Sequence, residues 1–505
     1  MASSQAAFDQ SIHTAPAGGR AKRRVESDSL GSREIPASAY WGVHTARALE
    51  NFAISGRPIS DYPDLIYGLA CVKQAAARAN AEIGTLPRER AALIDRAAEE
   101  IKKGRFLDQF VVDIMQGGAG TSTNMNANEV IANVGLELGG HPRGDYRRLD
   151  PLDDVNRSQS TNDVYPTALK IALESALERL LREIDGLTSA FHERGSAFAG
   201  VLKVGRTQLQ DAVPMTLGQE LDGFAVTLAD DARTLRELAF PLREINLGAT
   251  AVGTGITADP RYAEAARRHL SEITGTELRS ATHLVAATSD MGVFMTLSGG
   301  LKRFAMKLSK ICNDLRLLAS GPQCGLGEIR LPPRQAGSSI MPGKVNPVIP
   351  EVVNEVAFVV AGADVTVAMA CEAGQLQLNA FGPVVAHALL ESLKWLTAAV
   401  ITLRDNCVVG IEADRARLAE QTSSFVGVVT ALTPYIGYAA AADLAKKALA
   451  GGGTIADLVV QAGLMDAADV EILLTPARLS GQDVSAPRLS RDYSARETRA
   501  GTREP

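Results

Sequence analysis

Apolar residues recur with a helical period through the middle of the chain. Between Pro166 and Phe198, leucine, isoleucine and phenylalanine return every three or four positions, which is the spacing of one face of an α-helix. Similar patterns run over residues 215–240, 283–320, 350–377 and 383–408. Five long amphipathic segments in succession predict an elongated helical bundle. Alternating β-branched residues are scarce here, so a mostly α fold is expected.

The regions on either side differ from this helical centre. The stretch before it combines a helical pattern with loops rich in Gly, Asn, Ser and Thr, and after Gly410 the apolar segments become short. Both chain ends are rich in small, polar and arginine residues without apolar periodicity, which predicts disorder. The predicted division is a tail at 1–24, domains at 25–158, 159–409 and 410–481, and a second tail at 482–505.

Composition and charge narrow the class of protein. The 505 residues are 46% hydrophobic and 22% charged, as in soluble globular proteins. The net charge is −6 although both ends are basic, and so acidic a body argues against nucleic acid as a main partner. The sequence contains neither an uninterrupted apolar run of the ~18 residues that suggest a membrane span nor an apolar secretory segment in its first 24 residues. We therefore expect a cytoplasmic protein without a membrane partner.

Cysteine and histidine usage gives no sign of a metal centre. The five cysteines are an odd number without CxxC spacing, which argues against a disulfide framework or a structural zinc site. The seven histidines show no HxxxH pattern. We expect no metal site built from protein side chains.

Three polar regions carry the candidate chemistry. The first, at 116–126 and 158–163, places hydroxyl and amide residues just before predicted helices. Helix N-termini and hydroxyl donors bind carboxylates well, although ordinary helix caps have the same composition. The second, at 205–214, joins two long helices, and the third, at 337–347, holds two serines, a lysine and an asparagine among turn-forming residues. Alone, the second is an ordinary connection and the third could be a surface loop.

The third region also carries a long, specific string. Ser-Ser-x-Met-Pro-x-Lys-x-Asn, from Ser338 to Asn346, resembles the signature of the aspartase/fumarase superfamily, whose members release fumarate by cleaving C–N or C–O bonds. The other two regions resemble the remaining active-site regions of that superfamily, in the expected order. The strings at 117–122, 160–163, 205–208 and 373–379 are similar to aspartases rather than fumarases.

The resemblance covers nearly all of residues 25–480 and implies both a fold and an assembly. It implies three domains around a central long five-helix bundle. It also implies a homotetramer in which each active site takes its three regions from three different chains. The expected reaction is the reversible deamination of L-aspartate to fumarate and ammonia. It would proceed by anti-elimination through an aci-carboxylate carbanion, with a serine base.

The resemblance also implies roles for individual residues. The base is Ser338. The expected donors to the β-carboxylate are Thr121, Ser160, Thr161 and Ser339. The expected anchors of the α-carboxylate are Lys344 and Asn346, and the expected partners of the amino group are Asn162, Thr207 and Gln208. No cofactor is required, although a divalent cation could activate the enzyme.

Three positions leave alternatives open. Asp154 stands where aspartases usually have His, and Gly382 where they usually have Glu. Gln208 stands where many relatives have His, and glutamine has no usable proton affinity near neutral pH. Glutamine at position 208 therefore fits an ammonia leaving group, whose nitrogen is already protonated in the substrate, better than a hydroxide leaving group, which needs a proton. The alternatives are fumarate hydratase, a non-catalytic protein that retains the fold, and an ammonia-lyase for another aspartate-like amino acid.

Overall fold

The structure is a computed structural model that describes residues 22–491 and 493. The chain divides into two compact units that are each discontinuous in sequence. The first unit draws on the ranges Met1–Ser175, Pro241–Val293 and Ala368–His387, and the second on Ala176–Phe240, Phe294–Val367 and Ala388–Pro505. The predicted three-domain boundaries stay a prediction.

Helices dominate the described chain, and the mostly α fold is confirmed. Up to the first long helix, the elements are β1 (Arg23–Asp28), β2 (Gly31–Pro36), α1 (Val43–Asn51), α2 (Pro63–Glu82), α3 (Arg88–Lys102), α4 (Thr121–Leu138) and α5 (Thr161–Ala197). They continue with β3 (Leu202–Thr207), β4 (Gln210–Thr216), α6 (Leu217–Ala239), β5 (Glu244–Ile245), α7 (Tyr262–Thr274), β6 (Arg279–Ser280), α8 (Leu284–Ser289) and α9 (Gly292–Leu318). The last elements are β7 (Ile329–Arg330), α10 (Val348–Glu372), α11 (Gly382–Asn406), β8 (Glu412–Ala413), α12 (Arg415–Ser423), α13 (Val429–Ile436), α14 (Tyr438–Leu449), α15 (Ile455–Gln461), α16 (Ala467–Leu473) and α17 (Pro476–Leu479).

The strands form small two-stranded sheets. β1 with β2, β3 with β4, and β7 with β8 are antiparallel, whereas β5 and β6 are parallel. The β3–β4 hairpin carries the predicted site residue Thr207, which pairs with Gln210 at the end of the hairpin.

The five predicted long helices are present as α5, α6, α9, α10 and α11. The third one is shorter than predicted. His283 caps α8, and Asp290, in an extended conformation, then ends it before α9 begins at Gly292. Within the second unit, ion pairs join neighbouring helices. The pairs are Asp185–Arg236 between α5 and α6, Asp231–Lys307 between α6 and α9, Lys302–Asp364 between α9 and α10, and Glu183–Arg404 between α5 and α11.

The first long helix begins earlier than Pro166, the residue that the sequence pattern placed in its first turn. It begins at Thr161, so Pro166 lies inside the helix. A proline there cannot donate to the carbonyl four residues earlier, which belongs to Asn162. That carbonyl instead accepts a hydrogen bond from Asn246 Nδ2 at 3.2 Å. Contacts with a distant loop therefore allow the helix to include Thr161 and Asn162.

The predicted tails extend too far into the chain. At the N-terminus, Arg24 lies in β1, and its guanidinium donates to the carbonyls of Ala39 and Trp41 at 2.7 Å each. At the C-terminus, Tyr493 is buried in the hydrophobic cluster formed by α13 to α16, and its hydroxyl donates to Asp469 at 2.7 Å. These contacts, between residues far apart in sequence, hold segments that lack apolar periodicity. Residues 1–21, 492 and 494–505 lie outside the described residues.

Two helical segments pass a length and composition test for crossing a membrane. They are Val348–Glu372, whose most apolar 18 residues are 33% buried, and Gly382–Gly410, whose corresponding 18 residues are 61% buried. The core helices of soluble proteins pass the same test. Asp364 interrupts the first segment, where its carboxylate accepts from Ser298 Oγ at 2.8 Å.

Candidate active site

The segment that leads into α5 is fixed by the buried Asp163. One carboxylate oxygen accepts the amide N–H of Ser160, and the other accepts those of Gly248 and Thr250, each at 3.0 Å. Burial raises the pKa of Asp163 to about 6, although these hydrogen bonds and the positive charge of Lys73 oppose the rise. The carboxylate thus holds the start of the helix against the loop at 248–250.

Two hydroxyls of this segment are held so that their protons remain free. Ser160 Oγ accepts the amide N–H of Asn162 at 3.2 Å, and Thr161 Oγ1 accepts Asn124 Nδ2 at 3.1 Å. A hydroxyl has one proton and two lone pairs, so each group can still donate. This arrangement suits the predicted role of Ser160 and Thr161 as carboxylate donors.

Asn162 is held in a way that suits an ammonium partner. Its Nδ2 donates to the carbonyl of Ala251 at 2.7 Å. The side-chain oxygen is therefore the atom that can accept from a substrate amino group.

Thr121 is the first residue of α4, but its proton is already engaged. The preceding Gly120 has φ 89°, and a Cβ on it would lie only 2.3 Å from the ring of Tyr165. Thr121 Oγ1 donates to the carbonyl of Gly118 at 2.7 Å. To donate to a substrate carboxylate, this hydroxyl must turn away from Gly118.

Thr207 and Gln208 lie at the end of the β3–β4 hairpin, where both side chains are exposed. The two turn residues, Gln208 and Leu209, have φ values of 54° and 61°. Two-residue hairpin turns favour this left-handed geometry, but such residues cost roughly 1–3 kcal/mol each. The base of the hairpin is anchored by Glu328, which is fully buried and ion-paired with Lys203 (2.9 Å) and with Arg206. The hairpin therefore presents a strained, exposed tip on a fixed base.

The loop at 337–347 surrounds Ser338 with backbone donors. Ser338 Oγ accepts the amide N–H groups of Ile340 at 3.2 Å and Met341 at 3.1 Å. Two N–H groups aimed at one hydroxyl oxygen favour its alkoxide form, which a serine base requires. The geometry therefore fits the predicted base.

The two ends of this loop are tied together. The amide of Gly337 donates to the carbonyl of Lys344 at 2.7 Å, and Asn346 Nδ2 donates to the carbonyl of Gly337 at 2.8 Å. A side chain on Gly337 would lie 2.5 Å from the Lys344 carbonyl, so this close approach requires glycine. Ser339 and Lys344 point into solvent, where a substrate can reach them.

The structure brings together only part of the predicted site. The α4 segment and the segment at 160–162 meet through Asn124 and Thr161 in the first unit. The hairpin tip and the Ser338 loop both belong to the second unit, yet no hydrogen bond joins them among residues 22–491 and 493.

Sequence reasoning missed the buried polar residues behind Thr161. They are Lys73, Asn124, Asn128 and Asp163, which are buried, together with the half-buried Asn156. A signal was available: α4 contains Asn124, Asn126 and Asn128 in its interior turns, and all three are buried. Buried amides in a helix need specific hydrogen-bond partners, and here two of them share one partner.

The two departures from the aspartase pattern have structural explanations. Asp154 is 4% exposed and accepts from Arg90 Nη1 with both oxygens at 2.8 Å. It thus forms an ion pair with α3, on which Arg90 lies. At Gly382, a Cβ would approach the Tyr165 ring to 3.2 Å, so glycine leaves room for this tyrosine.

The described part of the chain offers no cluster for a metal ion. In the ranges 22–491 and 493, no group of three or more His, Cys, Asp or Glu side chains is placed to hold one.

Comparisons with known proteins find similar sequences along most of this chain. The profile of a family described as "Lyase" matches residues 31–362, and that of "Fumarase C C-terminus" matches residues 428–481. An aspartate ammonia-lyase from Pseudomonas aeruginosa is 54% identical over 470 residues, which cover 93% of this chain and 98% of that protein.

Solved structures show the same similarity. A "fumarate lyase:delta crystallin" from Brucella melitensis, bound to cobalt, has a TM-score of 0.88 and 53% identity, covering 91% of this chain and 100% of its own. A class II fumarase from Schistosoma mansoni has a TM-score of 0.84 and 31% identity, covering 91% and 99%.

Proposed function

We propose an activity for this chain from one established premise: the chain belongs to the aspartase/fumarase superfamily of lyases. It is an enzyme that acts on a small molecule, and its reaction is the reversible deamination of L-aspartate to fumarate and ammonia. The relatives named aspartate ammonia-lyase support this choice of substrate. The observation that carries the chemistry is Ser338, whose oxygen receives two backbone N–H groups on an exposed loop.

The difficult step is removal of a proton from C3 of aspartate. The neighbouring carboxylate is already an anion, so proton loss places a second negative charge on that group. Oriented donors stabilise such charge by ~3 kcal/mol each in comparable sites. Ser160 and Thr161, whose protons are free, and the exposed Ser339 are the proposed donors, with Thr121 joining after rotation. Ser338, as the alkoxide, takes the proton.

The opposite end of the substrate needs anchors rather than a base. Lys344 supplies a compact positive charge for the α-carboxylate, beside Asn346. The amino group is bound in its protonated form by Asn162, Thr207 and Gln208. It leaves as neutral ammonia and takes the C–N electron pair, while the electron pair of the carbanion forms the C=C bond of fumarate. A hydroxide leaving group would need a proton donor that Gln208 cannot be, and this favours aspartase over fumarate hydratase.

The proposed assembly is a soluble, cytoplasmic homotetramer in which three chains contribute to each active site. Its support is the apolar face that α10 leaves uncovered in the single chain. The exposed apolar residues of that helix are Val352, Phe358, Val359, Val365 and Met369. Large apolar side chains exposed along one helix are typical of an interaction surface, and α10 belongs to the predicted bundle. The proposed reaction requires no cofactor.

The test is to follow fumarate by its ultraviolet absorbance with L-aspartate and L-malate offered separately. We expect turnover of L-aspartate and little or none of L-malate. Parallel assays with added Mg²⁺ and with a chelator measure any activation by a divalent cation. Efficient turnover of L-malate with none of L-aspartate would replace the proposal with the hydratase.

A further inference from the structure

The orientation of the Thr161 hydroxyl traces back, one hydrogen bond at a time, to the buried Lys73. This lysine lies in the middle of α2 and is fully buried. Its ammonium is 2.9 Å from Asn156 Oδ1 and 2.9 Å from Gln159 Oε1. Charged or neutral, the Lys73 nitrogen carries at least the two N–H groups that it donates here, so Asn156 and Gln159 both turn their amide oxygens toward it.

The amide oxygen of Asn156 in turn fixes the orientation of the Asn124 amide. Asn156 Oδ1 also lies 3.1 Å from Asn124 Nδ2 and 3.2 Å from Asn128 Nδ2. An amide that faces a carbonyl oxygen must present its NH₂ group, because two oxygens would repel each other. The second N–H of Asn124 then reaches Thr161 Oγ1 at 3.1 Å. Thr161 therefore accepts, and its own proton points away from Asn124.

Stability does not account for this lysine. Both acceptors that the structure gives its ammonium are neutral amides, while the nearby Asp163 accepts hydrogen bonds from backbone amides. Burial of a charge without a hydrogen-bonded counter-ion is costly, and apolar replacements of buried charges are often neutral or stabilising. Residues that break such rules are expected at functional sites.

We propose that Lys73, Asn156 and Asn124 are positioning residues that fix the Thr161 hydroxyl as a donor to the substrate carboxylate. This inference rests on the proposed function, because it requires a carboxylate in front of Thr161. A donor oriented in advance needs no reorganisation as charge develops. Its benefit therefore appears in kcat more than in ground-state binding.

The experiment is a double-mutant cycle on turnover of L-aspartate. Thr161→Val removes the hydroxyl and should lower kcat about 100-fold, as for loss of one oriented donor. Asn124→Leu keeps the volume but lets the hydroxyl rotate, and should lower kcat about 10-fold. The double variant should be no slower than Thr161→Val alone, because the two changes remove the same interaction. Losses that multiply to about 1,000-fold would overturn the proposal.

The matched control is Asn126→Leu, on the same helix and equally buried. The Asn126 side chain binds the backbone of Val111 and Gln109 rather than the network. This variant should lower the melting temperature while kcat stays within about threefold of wild type. An equal loss of kcat in Asn126→Leu and Asn124→Leu would mean that burial, not orientation, matters.

If Asn124→Leu does not fold, Lys73→Met tests the proposal in its place. We expect kcat about 10-fold lower, KM within threefold, and a melting temperature equal to or above that of wild type. A purely structural lysine would instead lower the melting temperature and leave kcat unchanged. Calorimetric binding of succinate in every variant separates the two proposals. If wild type binds succinate but does not turn over L-aspartate, the proposed function fails, and the orientation of Thr161 is then tested by the same double-mutant cycle on the substrate that the ultraviolet assay does support, L-malate among them.

Discussion

Replacing Ser338 with alanine removes the proposed base and leaves the substrate anchors in place. The structure sets the scale of what is lost. Ser338 Oγ accepts two backbone N–H groups, at 3.2 and 3.1 Å, and a hydrogen bond to a charged group contributes about 1.5–3 kcal/mol. Together they favour the alkoxide by about 3–6 kcal/mol, or roughly two to four powers of ten in its population.

General bases contribute 10²–10⁴-fold to rate. We therefore expect Ser338→Ala to lower kcat by about 1,000-fold, the middle of that range. The measurement is fumarate release from L-aspartate at saturating substrate, with succinate binding followed by calorimetry. Succinate affinity should change little, because Lys344 and Asn346 remain.

The neighbouring Ser339 supplies the matched comparison, since it lies on the same exposed loop but is proposed as a carboxylate donor. A cysteine at 338 can still act as a base, because a free thiol has an ordinary pKa of about 8.5. Ser338→Cys should therefore regain activity as pH rises through the thiol range, whereas Ser339→Cys should show no such rise. A Ser338→Ala enzyme with kcat within tenfold of wild type would refute the assignment.

Further predictions concern other parts of the molecule. Lys344→Ala should mainly raise KM for L-aspartate, because it removes an anchor used from the ground state onward; a loss confined to kcat would contradict this. Gln208→Ala should lower kcat/KM by the equivalent of about 1–2 kcal/mol, the value of one or two hydrogen bonds, and a loss as large as that of Ser338→Ala would give it a role in proton transfer. Tyr493→Ala should destabilise the cluster of α13 to α16 by about 3–5 kcal/mol, which a lower melting temperature would show. Removal of residues 1–21 and 494–505 should leave the rate of L-aspartate turnover unchanged. Burial lowers the pKa of Lys73 to about 7, so between that pH and the ordinary lysine pKa the unfolded chain binds more protons than the folded one. The free energy of unfolding should therefore rise with pH over this interval. In melting temperatures measured at a series of pH values, Lys73→Met should not show this increase.

The comparison of sequence and structure is most instructive at the start of α5. The periodic apolar positions correctly indicated a long helix, because periodicity is a local property of the chain. Its first residue was wrong by five positions, because Pro166 signals a helix start from sequence alone. Inclusion of Thr161 depends on Asn246, more than 80 residues away, which binds the carbonyl that the proline leaves free.

The mostly α fold, the five long helices and the family could all be predicted from the sequence, because periodicity and one specific string of residues carry them. The sequence also leads to the proposal that Ser338 is the base. It could not show that two amides surround that oxygen, since their direction depends on how the loop closes between Gly337 and Lys344. Only the tertiary structure placed Lys73 behind Thr161 and Tyr493 against Asp469. Hydrogen bonds between distant segments depend on where the packed helices bring side chains together, and no pattern along the chain encodes that position.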